Sequence, residues 1–316
     1  MKVLDFLSLS VITLIAFFVN YHYGHQGLMP LDDLQNFNSG FRVLNGDFPF
    51  RDYYSITGPI LDIWQSNIYN LFGVSWKSFI LHASILNSLY AISLFIFLRN
   101  LSLNTTNSII FSISACLLMY PPTGNPTVEH NSLTLSLVGL MMFIVGLKDK
   151  KNFILFCSII IFGISFFTKQ VPTSYLIILC VLIYFSQMFG KVKISNLFFL
   201  LISISFTLLT ITTYFYLKNV QIEDVFNQYF VFSYSLGQDR FQIINFKIIY
   251  ENISKIFFLA ILTIPSIYLY FLSKYKTKFL IIVGLNLIIV IYEIHSQNQP
   301  ITFSLLPLIL SLFYFF

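Results

Sequence analysis

Charge is what this sequence has least of: 10% of its residues are Asp, Glu, Lys or Arg, against 57% hydrophobic. A soluble globular domain carries about a quarter of its residues as charges, so this composition excludes an ordinary water-facing surface. Cysteine is scarce too. Cys116, Cys157 and Cys180 fall far apart inside apolar runs, without CxxC or Cys/His spacing, which leaves them as small core hydrophobes. Ten-residue alternating strands are missing, which argues against a β-barrel. The net charge of +5 is modest and its Lys residues sit in short loops, so no nucleic-acid partner is needed. No internal repeat or low-complexity segment is present.

What the sequence has in abundance is apolar runs of roughly 15 to 24 residues, long enough for helices crossing a ~30 Å hydrocarbon layer. The expected fold is an all-α integral membrane protein with about ten transmembrane helices, a single polytopic domain over 1–316. Spans are expected near 5–20, 78–98, 108–120, 132–147, 152–167, 171–189, 194–217, 255–273, 279–292 and 301–316. The first run has no small-residue cleavage site behind it and is taken as a retained span. Lys2, Arg99, Lys148/Lys150/Lys151, Lys191/Lys193 and Lys274/Lys276/Lys278 all fall on one side of this topology. The positive-inside rule makes that side, with the N-terminus, cytoplasmic. The opposite side receives most of the acid, including Asp32, Asp33, Asp52, Asp62 and Glu129, so the extracytoplasmic face is the expected functional face.

The first external loop, 21–77, is the long polar stretch near the start. Leu31, Leu34, Phe37, Phe41 and Leu44 recur at helical spacing, with Pro30 and Asp32 as start signals. A second helix runs from Pro59, with Ile60, Trp64, Ile68 and Leu71 on one face, Asp62, Gln65, Ser66 and Asn70 mostly on the other, and Gly73 as a stop. Both read as amphipathic helices lying along the membrane surface. Gly46, Pro49, Gly58 and Pro59 are turn residues between them. Trp64, Trp76, Tyr53, Tyr54, Tyr229 and Tyr234 read as an interfacial aromatic belt that could also stack on sugar rings.

An acidic pair after the first span, followed by Gly46, Pro49, Arg51-Asp52-Tyr53, Gly58-Pro59 and Phe72-Gly73, resembles the GT-C superfamily of membrane glycosyltransferases. The pattern is similar to bacterial relatives of the protein O-mannosyltransferases and the lipid A aminoarabinose transferases, over about residues 1–175. The resemblance implies a sugar transferred with inversion, from a polyprenyl-phosphate donor to a lipid, glycan or protein acceptor of the cell envelope, at the outer face of the inner (plasma) membrane. It implies a catalytic Asp in the first loop, with Asp33 favoured and Asp32 the alternative, and a later acidic residue, here Glu129 where Asp is common. Relatives carry further spans or a soluble C-terminal domain, so the C-terminal part could be incomplete at Phe316.

Such a transfer needs a base near the acceptor hydroxyl and cations around the leaving phosphate. Asp32 and Asp33 point about 100° apart on a helix, so one at most faces an acceptor; the plain alternative is an N-terminal pair favoured by the helix dipole. Arg51 and Asp52 could hold substrate or simply form a surface ion pair. Glu129 and His130 could bind sugar, support the base, or share a divalent metal with another acid, although no cofactor is firmly implied. Lys169 breaks the positive-inside trend in the short turn Thr168-Lys169-Gln170. With Gln170 and Arg240 it is a candidate for the lipid phosphate, and His295 could reach the same cleft. His82 is the main ionisable residue inside a span. A carrier would keep such groups at the midplane in repeated halves. A lipid-linked glycan flippase or polymerase is the closer rival, and a non-catalytic assembly subunit the third.

Overall fold

The computed structural model describes residues 3–28, 31–119, 124–191, 194–236, 276–296 and 302–315, with four single positions between 264 and 271. Among the described residues the chain is helical, with no strand beyond an isolated bridge between Pro49 and Tyr53. The helices are α1 (Val3–Tyr23), α2 (Asp32–Leu44), α3 (Ile60–Phe72), α4 (Trp76–Asn100), α5 (Thr105–Met119) and α6 (Val128–Asp149). They continue as α7 (Asn152–Phe166), α8 (Gln170–Lys191), α9 (Ile194–Leu217), the single turn α10 (Ile222–Val225) running into a π-helical turn at Phe226–Val231, α11 (Lys276–Ser296) and α12 (Thr302–Phe315).

Among the described residues four stretches are long and apolar enough to cross a bilayer: Leu4–Tyr23, Trp76–Asn100, Val128–Asp149 and Phe198–Leu217. Helices α5 and α7, at 15 residues each, are short of the roughly 20 that a straight crossing requires. Of the roughly ten spans expected, four meet the length among the described residues, and the expected span 255–273 lies almost wholly outside them. The protein is a helical membrane protein.

Small polar residues carry the helix contacts, as lipid-solvated helices require. Asn87 of α4 donates to the carbonyls of Ala16 and Cys116 at 3.1 and 3.0 Å. Ser158 of α7 donates to the Gly139 carbonyl at 2.8 Å, and Ser165 to the Ser132 carbonyl at 2.6 Å. Cys116 and Cys180 are buried and unpaired in these contacts.

At one end of the bundle the start of α1 and the α4–α5 and α6–α7 loops pair basic residues with acids. Asp5 pairs with Arg99 at 3.0 Å, Asn100 donates to Asp149 at 3.3 Å, and Lys151 lies 3.5 Å from Asp149. The polar loops between helices that start or finish at the other end converge on one another.

Helix α3 begins after Pro59 and stops at Gly73, whose φ of 79° is strained for any other residue. The burial of both loop helices departs from the expected picture. Helix α2 turns Asp33, Asn36 and Gly40 inward and leaves Leu31, Leu34 and Phe41 85%, 52% and 41% exposed. Phe37 breaks from that stripe and packs among Tyr69, Trp76 and Phe79. Helix α3 departs only in part: it buries Asp62, Gln65 and Ser66 along with Leu61, Ile68 and Tyr69, and leaves Asn70, Leu71 and Phe72 exposed. In a membrane the apolar face is already solvated by lipid, so the polar face is the one that seeks protein partners. Gly40 permits this approach: a Cβ there would lie 2.6 Å from Cγ of Gln65.

Candidate functional site

Gly124–Asn131, the turn leading into α6, holds the site together. Thr127 caps α6 by accepting from the backbone N–H of His130 at 3.3 Å, so Glu129 and His130 lie in a helical first turn and not in a solvated loop. From α1, Asn20 donates to the Gly124 carbonyl at 3.0 Å. From α2, Asn36 donates to the Pro126 carbonyl at 3.3 Å, and Asp33 accepts from the Asn125 amide at 2.9 Å. The same Asn125 nitrogen donates to the Gly27 carbonyl at 3.1 Å. From α4, His82 meets Asn131 at 2.8 Å. From the α7–α8 turn, Lys169 pairs with Glu129.

This arrangement separates the two candidate bases. Asp33 is fully buried, whereas Asp32 is exposed to solvent. The cap of α2 is Leu31 and no side chain caps it, so neither aspartate serves as a capping side chain. Glu129 and Lys169 form a half-buried ion pair, with side chains 16% and 28% exposed. The His130 ring lies 2.7 Å from the Thr127 hydroxyl.

Arg51 and Asp52 are tied to the protein around them. Arg51 donates to Asp52 at 2.8 Å, to the Gly46 carbonyl at 3.0 Å and to the Lys218 carbonyl at 2.6 Å. Asp52 also accepts from the Phe48 N–H at 2.6 Å, and these contacts hold its carboxyl below the usual range. They clasp the first loop to the segment after α9. Gln228 extends the clasp, accepting from Ser55 N–H at 3.0 Å and donating to the Phe50 carbonyl at 2.9 Å. Gln170 joins it through the Tyr229 carbonyl. Phe48, Phe50, Phe215 and Tyr229 form the apolar core beneath.

Beside the clasp Asp62, 5% exposed, accepts from Ser39 at 2.6 Å and from Tyr53 at 2.7 Å. Burial raises its carboxyl to about 6, the two hydroxyl donors opposing. Arg42 covers the Tyr53 ring at 4.4 Å.

A cavity of about 420 Å³ runs between α6, α7, α8 and α9. Its walls are apolar, including Phe162, Leu201 and Ile204, and Phe166, Phe167 and Phe230 line it where α7 gives way to the Lys169 turn. Gly163 and Thr207 meet closely on one wall.

The chain matches no family model, no curated protein and no solved structure. Among the described residues no three His, Cys, Asp or Glu side chains converge as a metal site. Arg240 lies outside the described residues. The backbone of His295 belongs to α11, while its side chain falls outside the described set.

Sequence reasoning passed over Asn125, Asn131 and Ser39, and named Gln65, Asp62 and Tyr53 without their partners. Amides carry no motif, and their partners lie far off in the chain. The signal available was His82, an ionisable residue within a span that must find polar partners.

Proposed function

We propose that this protein is a GT-C-like, multi-spanning glycosyltransferase that moves a sugar from a polyprenyl-phosphate donor to an envelope acceptor at the extracytoplasmic face of the plasma membrane, with inversion. The observation that carries this reading is the Gly124–Asn131 turn, which draws Asp33, through Asn125, and Lys169, through Glu129, onto one short segment. The apolar cavity lined by Phe166 and Phe167, immediately before Lys169, offers room for part of a lipid tail.

In this reading Asp33 accepts the proton of the acceptor hydroxyl, and the acceptor oxygen forms its bond to the anomeric carbon on the face opposite the phosphate. The anomeric carbon–oxygen bond to phosphate breaks, and polyprenyl phosphate leaves with the electron pair. Lys169 meets the phosphate charge, exchanging its Glu129 partner for the ligand. Phosphate is already a fair leaving group, so no strong acid is required. Because Asp33 is covered by Asn125, acceptor binding must displace that amide. Asp32, exposed beside it, is the alternative base. The remaining helices complete a bundle of about ten membrane passages, the shorter of them by local thinning of the bilayer.

The cavity suits a lipid-linked glycan flippase or polymerase equally, and the test asks whether the first-loop aspartates carry the chemistry. Polyprenyl-linked sugars and envelope glycans are measured by mass spectrometry in cells expressing wild type, Asp32→Asn or Asp33→Asn. A transferase loses one glycan modification and accumulates its lipid donor in a folded Asp33→Asn variant. An unchanged profile in both variants removes the first loop from catalysis and leaves lipid movement as the reading.

A further inference from the structure

His82 is fully buried inside α4 and takes no part in the chemistry proposed above. Its ring stacks on Trp64 of α3, with centroids 5.3 Å apart and planes 12° from parallel. Nδ1 lies 2.9 Å from Oε1 of Gln65, and Nε2 lies 2.8 Å from Oδ1 of Asn131. One ring thus joins the second helix of the first loop to the start of α6.

Both partners have further engagements. Asn131 donates to the Thr127 carbonyl at 2.8 Å, and Thr127 contacts the His130 ring through its hydroxyl. Gln65 donates to the Ser78 carbonyl at 3.4 Å and packs against Gly40 of α2, the helix that carries Asp33. A neutral imidazole has a single N–H and cannot donate to two amide oxygens. Asn131 has the shorter backbone anchor, so its oxygen keeps the ring N–H. Gln65, with the longer anchor, is the amide that turns over to donate to Nδ1, giving up its bond to the Ser78 carbonyl. The result is a one-way chain from Gln65 through His82 and Asn131 to the Thr127 carbonyl.

We propose that His82 is a positioning residue, whose ring, donating from Nε2 to Asn131 and accepting from Gln65 at Nδ1, sets the Gly124–Asn131 turn against the first-loop helices. Asp33 and Glu129 are thereby held in register from opposite sides of the site. The functional consequence rests on the transferase reading; the geometric part stands without it.

The test uses the full chain in lipid nanodiscs. Nitrogen-15 NMR of histidine-labelled protein, with the His82 signals assigned by their loss in His82→Gln, is expected to show one protonated ring nitrogen in slow exchange with water. A rapidly averaging ring would overturn the proposal. Hydrogen exchange follows in two variants. His82→Phe keeps the stack on Trp64 without its hydrogen bonds, and residues 124–131 should exchange about tenfold faster while the Asp5–Arg99 end is unchanged. His82→Gln returns a donor toward Asn131 and should restore protection there. Equal exchange in all three proteins, or equal acceleration at both ends, would sink the idea. If His82→Phe does not fold, Asn131→Leu takes its place with the same two outcomes. In the transfer assay His82→Phe should lower kcat about tenfold at unchanged KM, with recovery in His82→Gln. Exchange behaviour as expected, in a wild type that transfers no sugar, would reject the transferase and retain the positioning role.

Discussion

Asn125 and Asp33 stand 92 positions apart and meet at 2.9 Å, both fully buried, amide donating to carboxylate. The amide is the right neighbour because it brings a donor without a second charge. Asn125→Asp places two carboxylates in one buried site, where like charges raise the affinity of the pair for a proton. Raised folded-state values mean stability that is present below the ordinary carboxylate range and lost as pH rises. Asn125→Asp is therefore expected to be about 3 kcal/mol less stable than wild type at pH 7 and to recover much of this near pH 4, whereas Asn125→Ala costs less and without the pH dependence. Thermal unfolding across that range checks it.

Asp62 tests the same physics in the native chain. Its folded value near 6 lies above the ordinary aspartate value of about 3.9, so the native state binds the extra proton between them. Stability falls as pH rises through this window and stays lower above it. Asp62→Asn should flatten the slope between about pH 4 and 6 and be on the order of 1 to 3 kcal/mol more stable than wild type above it. A wild-type profile flat over that interval refutes the assignment.

The clasp of Arg51 behaves with the opposite sign. Asp52 is held below its ordinary range chiefly by its hydrogen bond from Arg51, so the contribution is present above that range and lost as pH falls through the lowered value. Residues 218–236 should gain hydrogen exchange in acid before the helical bundle opens. Arg51→Lys presents one ammonium where a forked guanidinium reaches three acceptors, and it should open the segment about fivefold even at neutral pH.

Part of this was legible in the sequence. Pro59 and Gly73 bracket α3, because chain starts and stops are local properties. The burial of α2 and α3 was not. Periodicity tells which face of a helix is polar, but only the surroundings tell which face is covered, and here Leu31 and Leu34 stay exposed while protein covers Asp33 and Asn36. The span count was legible only in part for a related reason: an apolar run marks burial in lipid or in protein alike, and α5 and α7 are too short to be assigned by length. Glu129 and Lys169 were each singled out, yet their pairing across 40 positions is tertiary information.

Gly58 offers a sharp steric test. A Cβ there would sit 1.6 Å from the Phe167 carbonyl oxygen, and its own N–H donates to the Thr168 carbonyl at 3.0 Å. Backbone on both sides cannot yield as a flexible side chain can. Gly58→Ala should cost about 3 kcal/mol or more, or prevent folding. Gly27→Ala, with nothing within 4 Å of the added carbon, should stay within about 0.5 kcal/mol of wild type. Melting temperatures of the two variants read the contrast directly.

The Glu129–Lys169 pair decides whether Lys169 holds the fold or the ligand. Lys169→Ala leaves a mostly covered carboxylate without its cation and should cost about 3 kcal/mol, while the double variant Lys169→Ala/Glu129→Gln removes both charges and should recover most of that loss. The double variant is then a folded protein without the cation beside the apolar cavity. Its affinity for a polyprenyl phosphate, measured by native mass spectrometry from nanodiscs, is expected to fall about tenfold or more below wild type if that ammonium meets the phosphate. Wild-type affinity in a double variant of wild-type stability would make the pair a structural bridge between α6 and the α7–α8 turn, and phosphate binding would have to come from elsewhere in the chain.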